Sequence, residues 1–98
     1  MDRASIVRIF LSHMQSYGGP DNSWYVGISQ DAETRLFSDH NVSQLVGVWI
    51  WKPADTSTNA REVEAYFVNS YHADGAPGGG DILSDQVYAY KKTTYTRP

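Results

Sequence analysis

The nearly continuous apolar run "QLVGVWIWKP", residues 44–53, places the tightest limit on what this chain can fold into. It has the length of one strand and no apolar-to-polar alternation, a pattern typical of a strand buried on both faces. Such a strand needs a sheet whose faces are covered, and 98 residues suffice for one domain. We therefore expect a small sheet flanked by helices.

Helical and strand-like segments alternate before this run. Apolar residues at helical spacing predict an amphipathic helix over residues 2–16, namely Ile6, Val7, Phe10, Leu11 and Met14. The turn-forming stretch "YGGPDN" ends it, and "SWYVGIS" at residues 23–29 favours a strand. Asp31 is placed to cap a short helix over residues 32–39, which Asn41 is suited to end.

A third helix and a last strand follow the apolar run. Asn59 and Glu62 have the spacing of a reciprocal cap and predict a helix start. A glycine-rich loop over residues 72–81 is interpreted as a connector, and in the strand over residues 86–93 small apolar residues alternate with Tyr88 and Tyr90. The prediction is an α+β fold: one domain over residues 1–98, about three strands, and an extra N-terminal helix.

Charge and cysteine usage exclude some classes of function. The chain has no cysteine, which excludes disulfides and thiolate metal sites and permits a cytoplasmic location. No segment is apolar enough to suggest a membrane span or a signal peptide. The net charge of −3 has the wrong sign for a protein that binds many nucleic-acid phosphates through charge alone. Any nucleic-acid contact is therefore expected to be local.

Three segments together resemble a known family. "WYVGI" is followed by "RLFSDH", by the second predicted strand and then by "AREVEAYF". This order over residues 23–71 resembles the GIY-YIG nuclease domain, with Tyr25 opening the YIG position. The resemblance implies hydrolysis of a DNA phosphodiester with Mg²⁺ (or Mn²⁺). It also implies that Arg35 contacts the phosphate, that Glu64 holds the metal, and that Tyr25 and His40 belong to the catalytic site.

One part of the family pattern is not visible in the sequence. The GIY strand is expected about ten residues before YIG, but that space holds the turn-like "QSYGGPDN", where the only tyrosine is Tyr17. If the last strand lies beside the Tyr25 strand, Tyr88 or Tyr90 would supply a catalytic phenol instead. We expect one of these two hydroxyls to point into the cleft that the family pattern assigns to the site.

The positions of the proposed site residues also have ordinary interpretations. Arg35 and His40 are five residues apart, which puts them roughly 140° apart on an α-helix. They converge only if the helix ends near Asp39 and the chain turns back. Arg35 is also placed to pair with Asp31 or Asp39, four residues away on either side. Glu64 borders the apolar face of its helix and faces either a cleft or water.

Two functions follow from these residues. The first is a Mg²⁺-dependent DNA endonuclease or nickase, whose partner is DNA. The alternative is a catalytically silent GIY-YIG-like interaction module, such as a small phage or mobile-element protein that inhibits a host defence protein. The acidic net charge and the missing GIY segment favour the second hypothesis. The pattern formed by Tyr25, Arg35, His40 and Glu64 favours the first.

Overall fold

Three antiparallel strands and two long helices form an α+β fold, as predicted. The computed structural model describes residues 1–76 and 82–98. In chain order the elements are α1 (Arg3–Gln15), β1 (Trp24–Ser29), a short π-helical segment (Thr34–Asp39), β2 (Trp49–Pro53), α2 (Ser57–Tyr71) and β3 (Gln86–Lys91). The sheet order is β1-β3-β2, so β3 is the central strand.

One face of the sheet packs against the two long helices. Alternate residues of β1 and β3, among them Val26 and Val87, belong to one apolar cluster with residues of α1 and α2. The helix residues at its centre are fully buried: Ile6, Phe10, Met14, Val63 and Phe67. The helical spacing of these residues in the sequence therefore predicted the face that each helix buries. We call this side of the sheet the helix face.

The opposite face carries the aromatic residues of the same strands. Tyr25, Tyr88 and Tyr90 pack there with Leu36 and Val42. The last strand does pair with the Tyr25 strand, the arrangement that the sequence left open, with Tyr25 opposite Tyr90 and Gly27 opposite Tyr88. Side chains of a strand alternate between the two faces, so the tyrosines of β3 point away from Val87 and Ala89. We call this side the tyrosine face.

The apolar run at residues 44–53 does not form the central strand. Only its second half is a strand, and β2 lies at one edge of the sheet. In its first half the Gly47 N–H donates to the Ser43 carbonyl at 2.8 Å, which folds the chain into a turn. Leu45 and Val46 are consequently 94% and 85% exposed. The prediction of a strand buried on both faces is wrong, because the turn takes up the first half of the run and the strand in the second half is only half-buried at the sheet edge.

The start of α2 also differs from the sequence prediction. Thr56 caps the helix, since its hydroxyl accepts the Asn59 backbone N–H at 3.0 Å. Asn59 is therefore the third residue of the helix, and Glu62 instead binds Arg3 of α1 at 2.6 Å. The predicted cap is three residues too late because Thr56, with extended backbone, is itself a strong cap and comes first.

The glycine-rich segment begins as a bridge along the outer edge of β1. The Val26 N–H donates to the Asp74 carbonyl at 2.9 Å, and the Asp74 N–H donates to the Trp24 carbonyl at 2.8 Å. A Cβ at Gly75 would lie 2.7 Å from the Val26 oxygen, so this close approach requires glycine. Gly75 is thus packed against the sheet, whereas the rest of the predicted connector, residues 77–81, lies outside the described residues.

Candidate active site

Four of the predicted site residues line one small cavity at the β1 edge of the sheet. Tyr25 and Tyr88 reach it from the tyrosine face, Arg35 from the π-helical segment and Glu64 from α2. The cavity volume is about 50 Å³, room for small groups such as water molecules. Helices on opposite sides of the sheet can both reach this point because β1 is an edge strand.

The π-helical geometry brings Arg35 and His40 together. The His40 N–H donates to the Arg35 carbonyl at 2.8 Å, an i→i+5 bond in place of the i→i+4 bond of an α-helix. The expected separation of roughly 140° assumed α-helical geometry and is wrong for this segment. Asn41, in left-handed backbone (φ 57°), ends the helix where the sequence predicted. Both side chains therefore reach the same hydroxyl.

That hydroxyl belongs to Tyr88. It lies 2.8 Å from His40 Nε2, and the Arg35 guanidinium lies close enough to interact with it. The phenol crosses over Gly27 of the neighbouring strand, where a Cβ would lie 2.5 Å from Tyr88 Cζ. Glycine inside a strand signals such a close approach. Gly27 is therefore a required part of the site that we did not infer from the sequence.

Burial sets the protonation states on the tyrosine face. It raises the pKa of Tyr88 to about 12, although the interaction with Arg35 acts in the opposite direction. Burial also raises the pKa of Tyr25 and lowers the pKa of His40 below its usual value. At neutral pH the phenols are protonated and the imidazole is neutral. The Tyr88 hydroxyl and His40 Nε2 therefore share a hydrogen bond between two uncharged groups.

Glu64 is a buried carboxyl group with an unused oxygen. It is 3% exposed, and no hydrogen-bond donor in the described part of the chain contacts its Oε1. Burial raises its pKa to about 7, and the charge of Arg61 acts in the opposite direction. A buried oxygen left without a partner fits a group that binds a cation. The described residues hold no cluster of three or more His, Cys, Asp or Glu side chains suited to a metal. Glu64 alone would then supply the protein ligand.

The other two tyrosines considered from the sequence lie elsewhere. Tyr90 is fully buried behind His40, with its hydroxyl 3.0 Å from Nδ1. It is not among the described residues that line the cavity. Tyr17 lies at the end of α1 and packs on His13, with ring centroids 5.3 Å apart. Of the two tyrosines offered by the last strand, Tyr88 is the one that reaches Arg35 and Glu64.

Arg35 also makes the ordinary helix pairing that the sequence allowed. Its Nη1 lies 3.0 Å from Asp39 Oδ2, and both side chains are about half exposed. Asp31 instead caps the turn, because its Oδ1 accepts the Thr34 N–H at 3.2 Å. Arg35 thus forms an exposed ion pair with Asp39 and also interacts with the Tyr88 hydroxyl.

A larger cavity lies away from these residues. Its volume is about 480 Å³, and it is lined by the turn of residues 43–47 and by the segment after β3, including Val46 and Tyr95. Tyr95 is 81% exposed, and Leu45 and Val46 in the turn are more exposed still. A cluster of exposed apolar side chains is typical of a surface that binds another protein.

Comparison of the chain with protein-family models, with curated proteins and with solved structures found no match. The GIY-YIG resemblance therefore rests on the sequence segments alone, and a function is inferred from the geometry of the cavity.

Proposed function

We propose that this chain is a GIY-YIG-like, metal-dependent DNA endonuclease or nickase that uses Mg²⁺ or Mn²⁺. The observation that carries the proposal is that Arg35, Glu64, Tyr25 and Tyr88 line one cavity although they come from four different elements. A cationic donor, a buried carboxylate and a phenol with a proton acceptor are the groups that phosphodiester hydrolysis requires. DNA as the substrate comes from the family resemblance.

Arg35 is the group that would contact the phosphate. Its guanidinium can donate two parallel hydrogen bonds to phosphoryl oxygens, whose negative charge grows as the attacking oxygen approaches. The interaction with Tyr88 directs one side of the guanidinium towards the cavity, and the ion pair with Asp39 holds it from the solvent side.

Tyr88 and His40 would together accept the proton of the attacking water. The high pKa of Tyr88 means that its phenolate is scarce at neutral pH. A phenol hydrogen-bonded to a neutral imidazole can nevertheless pass its own proton to Nε2 as it takes the proton of the water. Tyr25 lies beside this pair, with its ring 4.6 Å from the His40 ring, and fixes the imidazole plane.

Glu64 is the residue that would hold the divalent ion, with water and substrate oxygens as the remaining ligands. Neutralisation of charge on the phosphoryl oxygens is what a bound Mg²⁺ or Mn²⁺ supplies in such chemistry. The carboxyl group must be ionised to bind a cation. Because its pKa is about 7, we expect activity to rise with pH through neutrality.

Nicking of supercoiled plasmid with Mg²⁺ or Mn²⁺ tests the proposal. We expect Arg35→Ala and Glu64→Gln each to lower the rate by about a hundredfold or more, and Arg35→Lys to restore only part of it. Tyr88→Phe removes the phenolic proton and should have a similar effect. Circular dichroism and thermal unfolding establish that each variant is folded.

Matched variants on exposed positions serve as controls. Glu62→Gln changes a carboxylate on the same helix, and Tyr66→Phe removes a phenol outside the cavity. Both should nick like the wild type. Activity that persists in Arg35→Ala and Glu64→Gln would overturn the site, and a folded wild type that never nicks would overturn the function.

One observation favours the alternative function. Leu45, Val46 and Tyr95 expose large apolar side chains beside the larger cavity, although the chain is acidic overall. A catalytically silent module that inhibits a host defence protein would use such a surface. Under that alternative, charged substitutions at Leu45 and Val46 would abolish binding of the partner, and Glu64→Gln would not.

A cytoplasmic location is part of either proposal and is consistent with the absence of cysteine. Over the described ranges, neither long helix has the length and apolar character needed to cross a membrane.

A further inference from the structure

The segment after β3, residues 92–98, contacts His40 at the ring nitrogen that does not face Tyr88. The Arg97 N–H donates to the His40 carbonyl at 2.8 Å, and the Arg97 carbonyl lies 2.6 Å from His40 Nδ1. Two hydrogen bonds thus join the same two residues, which are 57 positions apart in the sequence. His40 itself is 4% exposed.

These contacts determine which imidazole nitrogen carries the proton. A carbonyl oxygen can only accept a hydrogen bond, so Nδ1 must be the donor. In the neutral imidazole Nε2 is then the acceptor, and it lies 2.8 Å from the Tyr88 hydroxyl. The Tyr90 hydroxyl lies 3.0 Å from Nδ1 and 3.3 Å from the Arg97 oxygen; because it donates its one proton to that carbonyl, its oxygen is left as a second acceptor for the Nδ1 proton.

The segment is itself held by short-range bonds. The Asn41 amide donates to the Tyr95 carbonyl at 2.9 Å. The Thr96 hydroxyl accepts the Thr93 N–H at 2.9 Å and donates to the Thr93 carbonyl at 3.1 Å. The position of the Arg97 carbonyl therefore depends on side chains that lie outside the cavity.

We propose that the backbone carbonyl of Arg97 is a positioning group for the site, which fixes His40 as its Nδ1-protonated tautomer and so leaves Nε2 to receive the proton of Tyr88. The tautomer itself needs no assumption about activity. Its consequence for catalysis rests on the proposed function, because it matters only if Tyr88 and His40 accept the proton of the attacking water.

Imidazole ¹⁵N NMR of the full chain tests the tautomer directly. His40→Gln identifies the His40 signals by their loss. At a pH where His40 is neutral, we expect Nδ1 to have the shift of a protonated ring nitrogen and Nε2 that of an unprotonated one. A proton on Nε2 in the wild type would overturn the proposal, whatever the enzyme does.

A loosened full-length variant tests the role of the segment. Asn41→Gly keeps the left-handed backbone and removes the amide, while Thr96→Val removes the hydroxyl at nearly constant volume. In the double variant we expect averaged Nδ1 and Nε2 shifts, and a plasmid-nicking kcat lowered roughly ten- to hundredfold at unchanged KM. Glu62→Gln, outside the segment and the cavity, should leave both unchanged.

The outcomes separate the two proposals. An Nδ1-protonated His40 that survives unchanged in the double variant would overturn the positioning role of the segment. The expected tautomer in the wild type, lost in the double variant, together with no nicking by any folded protein, would support the contact and overturn the nuclease function.

Discussion

The two faces of the sheet use the same strands in opposite ways. On the helix face, Val26 and Val87 pack against α1 and α2 in a cluster of apolar residues. On the tyrosine face, Tyr88 and Tyr90 each bring a hydroxyl to the buried His40. The two sets alternate residue by residue along β3, so one six-residue strand serves both.

The difference separates what stabilises the fold from what the site can do. The helix face gains its free energy from apolar burial, which has no directional requirement. The buried Tyr88 and Tyr90 hydroxyls on the tyrosine face instead depend on a particular partner, His40, because a buried polar group without a partner is costly. We therefore expect substitutions on the helix face to change stability first, and substitutions on the tyrosine face to change activity first.

The largest effect on stability is expected on the helix face. Phe67 is fully buried between α1 and the sheet, with its ring 5.9 Å from Phe10. Phe67→Ala should lower the free energy of unfolding by about 3 to 5 kcal/mol, as measured in urea. Tyr66→Ala, at the exposed position before it, should cost far less. A loss below about 1 kcal/mol at Phe67 would contradict the assignment of the stabilising core to this face.

Glu64 sharpens the comparison because it lies at the border of the two faces. The folded chain retains its proton up to about pH 7, whereas the unfolded chain releases it near the ordinary value of 4.5. Between these values the folded state binds more protons, so stability decreases as pH rises. Without metal, the wild type should lose roughly 3 kcal/mol across this window relative to Glu64→Gln.

Urea unfolding with a chelator, from pH 4.5 to pH 8, measures this difference. If the free energy of unfolding varied with pH in the same way for the wild type and for Glu64→Gln, the pKa of Glu64 would be unshifted. The assignment of a buried carboxyl group to the site would then be wrong.

The sequence predicted the elements better than their positions in the sheet. Helical spacing predicted α1 and the buried face of α2, and alternation predicted both faces of β3. The apolar run at residues 44–53 led to a wrong prediction because it is interrupted by a turn, which depends on a hydrogen bond from the Gly47 N–H to the Ser43 carbonyl. Composition alone does not distinguish a buried strand from an exposed turn followed by an edge strand.

The sequence named four of the residues that line the small cavity, but not their geometry. Arg35, Glu64 and Tyr88 came from the family pattern and from the alternation of β3. The π-helical bond from His40 to Arg35 has no sequence signal, because it depends on how the segment packs on the sheet. The contact with Arg97 involves a backbone carbonyl, which any residue carries.

A smaller effect on stability is expected at Gly27, on the tyrosine face. Gly27→Ala places a methyl group against the Tyr88 ring, and overpacking of this kind costs about 1 to 3 kcal/mol. It should also displace the Tyr88 hydroxyl from His40 and abolish nicking. In a double variant with Tyr88→Ala the two costs should not add, because the clash has been removed. Full additivity of the two free energies of unfolding would contradict the contact.

The smallest effect is expected at Asp39, which tests whether Arg35 belongs to the surface or to the site. The Arg35–Asp39 pair is about half exposed, and such pairs contribute roughly 0 to 1 kcal/mol. Asp39→Asn should therefore leave the urea midpoint almost unchanged. It should also leave nicking within a few-fold of the wild type, because Arg35 retains its interaction with Tyr88. If Asp39→Asn instead reduced nicking as much as Arg35→Ala, the ion pair itself, and not the contact with Tyr88, would position the guanidinium.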